Sequence, residues 1–210
     1  ADVDFRVESN NKANMLFVDG GNDRVGIGTS SPDTVLHLSS DYSATLRLES
    51  LDTSLVADQV VGAIEWESNE SSTGSSGVVG KIDYISEDTT PEYSMRFFTH
   101  DTSGGVADFG ERMRIDSSGN VGIGTDSPDT IIHGMHSTSP TLTLERNSTS
   151  LANNNVIGEI AMAHKDSNDA GTAVRIIGRA EGTAGAAGLV FNTGTPTSIT
   201  ERMRIDSSGN

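Results

Sequence analysis

The ten residues ERMRIDSSGN at 111–120 occur again, unchanged, at 201–210. The first copy continues into VGIGTDSPDTIIHG (121–134), which matches VGIGTSSPDTVLHL at 25–38, 96 positions earlier. Because an internal repeat of this kind defines the unit that folds, it decides how the other features of the sequence are interpreted. The chain is a tandem repeat.

The spacing between matching segments changes along the repeat. ATLRLES (44–50) and VVGAIEW (60–66) also recur 96 positions later, whereas KIDYISE (81–87) recurs 94 positions later as RIIGRAE. Phe98 matches Phe191 at an offset of 93, and the decapeptide itself recurs after 90. The length changes fall in polar, Gly- and Ser-bearing stretches, where surface loops between strands tolerate them.

These offsets predict a unit of about 90–96 residues. Residues 1–24 are the end of a preceding unit with a connecting hairpin strand, 25–120 are the first unit, and 121–210 are the second. The second unit stops in mid-hairpin, which would leave an unpaired strand edge. We therefore expect this chain to be a segment of a longer repetitive protein.

Within a unit the hydrophobic pattern is that of β-strands. RMRID places Met113 and Ile115 on one face and Arg112, Arg114 and Asp116 on the other, and TLRLE does the same with Leu46 and Leu48. DSSGN predicts a tight hairpin turn with Gly119 at positive φ, and TSSP and TDSP predict a second turn. With no sustained helical period, we predict an all-β fold of about seven short strands per unit.

Composition excludes several classes of function. With 14 basic and 30 acidic residues the net charge is −16, which disfavours nucleic acid and anionic membrane surfaces as partners. There is no Cys and no apolar run of the roughly 18–20 residues needed for membrane insertion. Aromatic residues make up only 5% of the chain, so we expect part of the apolar surface to be buried between subunits.

No motif indicates chemistry. GIGTSS and GIGTDS lack the further residues of nucleotide-binding loops, and the acidic turns at 19–23 and 116–120 lack the Gly and Glu positions of an EF-hand. His37 and His133 are equivalent under the repeat and should have the same structural role. We predict no catalytic, cofactor-binding or metal-binding residues and no enzymatic activity. The glycines of VGIG are expected to allow close packing against another strand, an aromatic ring or another copy of the chain.

The string ERMRIDSSGNVGIGTDSP closely resembles a signature that recurs in bacteriophage tail fibres and related virion appendages, especially those of marine phages. DFRVESNNKANMLFVDGGNDRVGIGTSSP near the start looks like a variant of it, and VVGAIEWESNESS is similar to segments that alternate with it. The resemblance implies a homotrimeric, elongated, β-rich fibre on the outside of a virion.

The leading hypothesis is a structural virion fibre, either a tail fibre or a capsid- or neck-attached appendage, that extends from the particle and supports host attachment. It would sit at the virion surface, outside cells, and its partners would be itself as a homotrimer, other virion proteins and host-surface glycans. The positions expected to be buried against partner chains are Met113, Ile115, Val121, Ile123, Met203 and Ile205.

Two alternatives remain open. The first is a carbohydrate-binding adhesin or a filament of a bacterial surface, in which the loops at 68–77 and 99–110 would contact glycans and Phe109 would provide the stacking ring. The second, less favoured, is a polysaccharide depolymerase.

Overall fold

The computed structural model describes residues 3–70, 76–88, 92–101, 108–182 and 185–210. Within these residues the protein is all-β and contains no helix, as predicted. The chain divides into two compact units, Ala1–Ser137 and Thr138–Asn210. No helix in the described part of the chain is long and apolar enough to cross a membrane.

The first unit contains two sheets. A four-stranded sheet has the order β1-β2-β3-β4, and its strands are β1 (Phe5–Val7), β2 (Leu16–Asp19), β3 (Arg24–Ile27) and β4 (Leu36–Leu38). A six-stranded sheet has the order β10-β9-β8-β7-β6-β5, and its strands are β5 (Val60–Asn69), β6 (Ser76–Ser86), β7 (Tyr93–Asp101), β8 (Asp108–Ile115), β9 (Val121–Ile123) and β10 (Ile132–Gly134). All neighbouring strands are antiparallel except the parallel pairs β3–β4 and β9–β10.

The second unit is one antiparallel sheet with the order β11-β12-β13-β14. Its strands are β11 (Val156–His164), β12 (Gly171–Ala180), β13 (Ala187–Thr195) and β14 (Ser198–Ile205). They correspond in sequence to β5–β8. The predicted boundary between sequence repeats at 120/121 lies inside the hairpin β8–β9, where Ile115 pairs with Val121.

The predicted strand TLRLE (45–49) is wrong, and the matching segment TLTLE (141–145) of the second repeat likewise forms no strand. Leu48 and Leu144 instead lie over the start of the following strand, where a Cβ added to Gly62 or Gly158 would come within 3.0 or 2.8 Å of the leucine Cβ. Alternation of apolar residues gives a strand only where a neighbouring backbone supplies a hydrogen-bonding ladder. Without these segments the described chain has six strands per repeat rather than about seven.

The register between strands corrects one sequence match. Ile82 pairs with Phe97, and the equivalent Ile176 pairs with Phe191. Phe97, not Phe98, is therefore the structural equivalent of Phe191, at an offset of 94. Both are followed by a β-bulge in which the next strand carries one extra residue, Arg112 or Arg202.

Among the described residues, the apolar side chains that are buried within a single chain are Ile85, Ile177, Ala180 and Val190. Within a single chain Met113, Ile115 and Val121 are half-buried, while Ile123, Met203 and Ile205 are exposed. Their burial against partner chains stays a prediction.

Candidate functional site

The decapeptide forms the same joint in both of its copies. The first part of the joint is the turn, in which an aspartate organises the chain: Asp116 Oδ1 accepts from the backbone N–H of Asn120 at 2.7 Å, and Asp206 Oδ1 accepts from that of Asn210 at 2.9 Å. Gly119 and Gly209 take the expected positive φ, at 82° and 84°. The predicted hairpin turn at 116–120 is confirmed, and its carboxylate is used within the turn.

The second part of the joint is a bidentate ion pair on the strand. Arg114 donates to both oxygens of Glu111 at 2.7 and 2.9 Å, and Arg204 donates to both oxygens of Glu201 at 2.9 Å. These hydrogen bonds raise the pKa of Arg114 and of Arg204, each mainly through its glutamate.

The bulge explains how residues three apart on a strand can pair. The extra residue, Arg112, puts Glu111 beside Arg114 and sends its own Nε to Thr99 Oγ1 at 3.2 Å. Arg202 makes the equivalent bond to Thr193 at 3.3 Å. The predicted simple alternation, with Arg112 and Arg114 on one face, is therefore wrong at this position.

The third part of the joint is a glutamate that holds the turn from the neighbouring strands. Glu87 accepts from the hydroxyl of Ser117 at 2.6 Å, and Glu181 accepts from the backbone N–H of Ser207 at 2.8 Å. The bonds from Ser207, followed by one from Arg204, lower the pKa of Glu181 despite the opposing effect of desolvation. Each joint thus ties the end of a strand to the strand two positions away in its sheet.

The VGIG segments also form matching structures. Val25 and Val121 donate to Val35 and Ile131 at 2.8 and 2.9 Å, which closes the loop to the parallel strand. The glycines are required by this loop: a Cβ on Gly124 would lie 2.2 Å from the carbonyl oxygen of Met135. The close neighbour is thus backbone of the same chain, rather than the second copy or aromatic ring that the sequence allowed for.

The two histidines that the repeat makes equivalent have the same structural role, as predicted, and the first acidic turn is organised by its own aspartate. The Nδ1 atoms of His37 and His133 each accept a backbone N–H four residues earlier, from Asp33 and Asp129, at 3.3 Å. Asp19 organises the turn at 19–23, where hydrogen bonding by the Asn22 side chain lowers the carboxyl pKa.

One face of the six-stranded sheet carries a network of charges around a buried carboxylate. Asp83 is 2% exposed and accepts from Arg96 Nε and Nη2 at 3.0 and 2.9 Å, and from Lys81 Nζ at 2.9 Å. Burial alone would raise the pKa of Asp83, but the bonds from Arg96 and Lys81 outweigh it and hold the pKa below its ordinary value. The carboxylate therefore stays ionised in the interior of the fold.

In the second unit the residues equivalent to Asp83 and Arg96 are uncharged. Ile177 pairs across the strands with Val190, as Asp83 pairs with Arg96, and both aliphatic residues are at most 1% exposed. Two repeats of one fold thus fill one buried cross-strand site with an ion pair and with an aliphatic pair.

The ring proposed for glycan stacking contacts other side chains of the sheet. Phe109 lies on β8, half-buried, and stacks on Phe98 with ring centroids 5.6 Å apart, while Lys81 Nζ lies 4.2 Å from the centroid of Phe98. The loops at 68–77 and 99–110 lie partly outside the described residues.

The opposite face of each sheet is apolar and exposed. In the first unit it includes Ile64, Trp66, Tyr84, Met95 and Ile123, and in the second it includes Ile160, Met162, Leu189, Met203 and Ile205. We call these the apolar faces. A groove of about 260 Å³ runs along the first one beside Leu48. Contiguous exposed apolar surface of this kind is typical of an interface.

A second cavity, of about 330 Å³, lies beside the first joint and is lined mainly by acidic and hydroxyl side chains, among them Asp58, Glu87, Asp116, Asp126 and Asp129. Two of these carboxylates already bind the turn. Among the described residues, no group of three or more His, Asp or Glu side chains is arranged to hold a metal ion.

Comparison with known proteins finds similarity in structure only. No protein-family model matches the chain, and no curated protein sequence matches it. One similar solved structure is the carboxy-terminal domain of the bacteriophage T5 L-shaped tail fibre with its intramolecular chaperone domain, at 12% identity and a TM-score of 0.41. The match covers 82% of this chain and 60% of that one. Another structure of that carboxy-terminal domain matches at 12% identity and a TM-score of 0.40, over 82% of this chain and 86% of the other.

Proposed function

We propose that this chain is a non-enzymatic structural segment of a homotrimeric fibre at the surface of a virion. The observation that carries the proposal is the joint, which both copies of the decapeptide build with matching hydrogen bonds. Because both joints use the same contacts, units that end in this joint can be repeated in tandem along a fibre. The virion assignment rests on the resemblance of the sequence signature to those of tail fibres and other particle appendages.

The apolar faces support self-association. Each sheet leaves large side chains bare on one face, and the leucines at 46, 48, 142 and 144 are also exposed. A monomer with this surface would be prone to non-specific aggregation, whereas packing around a three-fold axis would bury the same face of every copy. The trimer would carry a formal charge three times −16, or −48, so neighbouring fibres would repel each other.

The fibre would extend from the particle as a tail fibre or as a capsid- or neck-attached appendage and support host attachment. Its contacts would be with its own copies, with other virion proteins and with host-surface glycans. The net charge of −16 argues against nucleic acid as a partner.

Light scattering on the purified chain tests self-association. The monomer has a mass of 22.0 kDa, so a trimer should give about 66 kDa. We expect the double variant Ile64→Lys/Ile160→Lys to shift the protein towards monomer, because both residues lie on the apolar faces at 47% and 48% exposure. The control is Glu65→Lys, on the charged face of the same strand, which should remain trimeric. A parent chain that is monomeric and cooperatively folded would refute the trimer.

Immunogold labelling of virus particles with an antibody against this chain tests the location. We expect label on appendages of the particle. Release of reducing ends from host polysaccharide by the purified chain would instead establish the depolymerase alternative.

A further inference from the structure

Each repeat contains a long strand with one edge unpaired among the described residues. β5, of ten residues, is the last strand on one side of the six-stranded sheet, and β11, of nine residues, has the same place in the sheet of the second unit. Both strands have exposed apolar side chains, among them Ile64 and Ile160. A long apolar edge is a template for pairing with another strand, and native proteins cover or block such edges. We therefore expect an element that covers this edge in each repeat.

Each repeat also contains a strand-like segment without a partner. TLRLE (45–49) and TLTLE (141–145) alternate polar and apolar residues, yet within the described part of the chain their backbones make no hydrogen bond to another backbone. Their leucines are exposed, Leu46 at 63% and Leu142 at 79%. Each repeat thus has one unpaired edge and one unpaired segment with the pattern of a strand.

The segment does not cover the edge of its own chain. Leu48 lies over the face of β5, where a Cβ added to Gly62 would come within 3.0 Å of the leucine Cβ, and Leu144 lies in the same way over Gly158. A segment that pairs with an edge lies instead in the plane of the sheet, about 4.7–4.9 Å from the edge strand. The edge is therefore open to a segment of another copy of the chain.

The side chains favour one alignment of the segment with the edge. When Arg47 lies opposite Glu65, the two leucines of the segment lie on the apolar face beside Ile64 and Trp66, whether the strands run parallel or antiparallel. An alignment shifted by one residue would place the leucines on the charged face. In the second repeat the same alignment brings the leucines of TLTLE beside Ile160 and Met162.

The charges of the first repeat are complementary in this alignment. Within the described residues neither Arg47 nor Glu65 has an ion-pair partner, and the Nζ of Lys81, directly across from Glu65, is bound to another carboxylate. The equivalent residues of the second repeat are Thr143 and Ala161, so both charges are missing there together. Loss of both charges together is expected of residues that lie side by side on neighbouring strands. Both side chains are exposed, so the pair selects the alignment and contributes little to stability.

We propose that TLRLE and TLTLE of one copy pair with the edges of β5 and β11 of the next copy, with Arg47 opposite Glu65 of the partner subunit. Each copy gives its segments to one neighbour and receives the segments of the other, so the exchange closes into a ring. The inference rests on the proposed homotrimer and identifies the strands that hold it together.

Disulfide trapping tests the alignment in the assembled protein. The chain has no Cys, so the variant Arg47→Cys/Glu65→Cys contains only the two that are introduced. Opposite residues on neighbouring strands have Cα atoms about 4.5–5.5 Å apart, which a disulfide can span. After mild oxidation we expect a covalent ring of three chains, which should migrate at about three times 22.0 kDa on a denaturing gel without reductant.

The matched control is Arg47→Cys/Ile64→Cys, in which the second cysteine lies on the opposite face of β5 and should not form the ring. Light scattering before oxidation shows whether each variant is assembled. A trimeric Arg47→Cys/Glu65→Cys variant that stays at the mass of one chain after oxidation would overturn the strand exchange and leave the trimer standing. A monomeric parent chain would refute both.

Hydrogen exchange of the parent chain, followed by mass spectrometry, tests the pairing without any substitution. In the trimer we expect alternate amides of 45–49 and 141–145 to exchange about tenfold or more slowly than unpaired amides, because they gain ladder partners. Residues 40–43, which are also exposed but lie outside the proposed pairing, are the internal control and should exchange freely. Equally fast exchange of 40–43 and 45–49 in a trimer would show that the segment is not a strand of the assembly.

Discussion

Removing one partner of the buried ion pair between Asp83 and Arg96 should cost far more stability than replacing both partners with aliphatic residues. In Arg96→Leu, Asp83 loses one of its two cationic partners and two of its three hydrogen bonds, keeps only the bond from Lys81, and remains buried. Loss of one partner of a buried pair costs about 3–5 kcal/mol. The double variant Asp83→Ile/Arg96→Val copies the Ile177–Val190 pair of the second unit. Since aliphatic replacement of a buried pair is often neutral or stabilising, we expect it to lie within about 1 kcal/mol of the parent.

Urea unfolding measures both values. Trp66, the only Trp, lies on β5 of the same sheet, so its fluorescence follows the unit that carries the substitutions. Arg175→Leu, at the position of the second unit that matches Lys81, is the control followed by circular dichroism. Its partner Glu159 is 3.6 Å away and both side chains are over 30% exposed, so the loss should be below about 1 kcal/mol. If Arg96→Leu is no less stable than the double variant, the reasoning about the buried charge is wrong.

The same pair predicts a dependence on pH. The pKa of Asp83 is lower in the folded protein than in the unfolded chain, where it is about 3.9. The folded state therefore binds fewer protons in this range, and the parent loses this stabilisation as the pH falls below about 4. The double variant lacks Asp83, so its stability relative to the parent should rise between pH 5 and pH 3. A constant difference would contradict the lowered pKa.

Two further predictions concern the loops and the joint. Gly124→Ala should destabilise the protein by more than about 2 kcal/mol in urea unfolding, because φ is 74° and the new Cβ would lie 2.2 Å from a carbonyl oxygen. Gly119→Ala, at φ 82° but with nothing within 4 Å of the new Cβ, should cost only about 1 kcal/mol, and equal losses would contradict the steric argument. Glu181→Gln should lower the melting temperature at pH 7 and have a smaller effect near pH 3, because Glu181, whose pKa is lowered in the folded protein, loses its contribution progressively as the carboxyl is protonated below about pH 4.5. A similar loss at both pH values would show that its charge does not matter.

The sequence predicted the features that depend on local chemistry. Period-two patterning identified the all-β fold, and the residues of DSSGN identified the hairpin turn at Gly119, because turn preferences act over four or five residues. The predicted strand TLRLE at 45–49 was wrong, since alternation alone does not show whether a neighbouring backbone is present. The bulge at Arg112 was missed because one inserted residue reverses the parity of every later position without leaving a composition signal.

The candidate interface was predictable in part. The expected buried set included Met203 and Ile205, which do lie on an apolar face, but the fully buried core at Ile177 and Val190 was not foreseen. These residues occupy the face that the first repeat fills with Asp83 and Arg96. Only the register between strands reveals that charged and aliphatic residues are equivalent there, so no inspection of a single repeat could have identified the core.

The hairpin β8–β9 has a consequence for the order of events during synthesis. The six-stranded sheet takes its last two strands from 121–134, which leave the ribosome after the repeat to which they are added. β9 ends at Ile123, eight residues after the end of β8 at Ile115. At about 5–20 residues per second, β8 therefore remains an open edge for roughly 0.4 to 1.6 seconds after it emerges. The strand that arrives next is always the one that fits, because it is attached through the turn. The edge of β8 is therefore expected to pair with β9 of its own chain before it meets a neighbouring chain. Few β8 edges should pair with the wrong chain, even where nascent chains are crowded on a polysome.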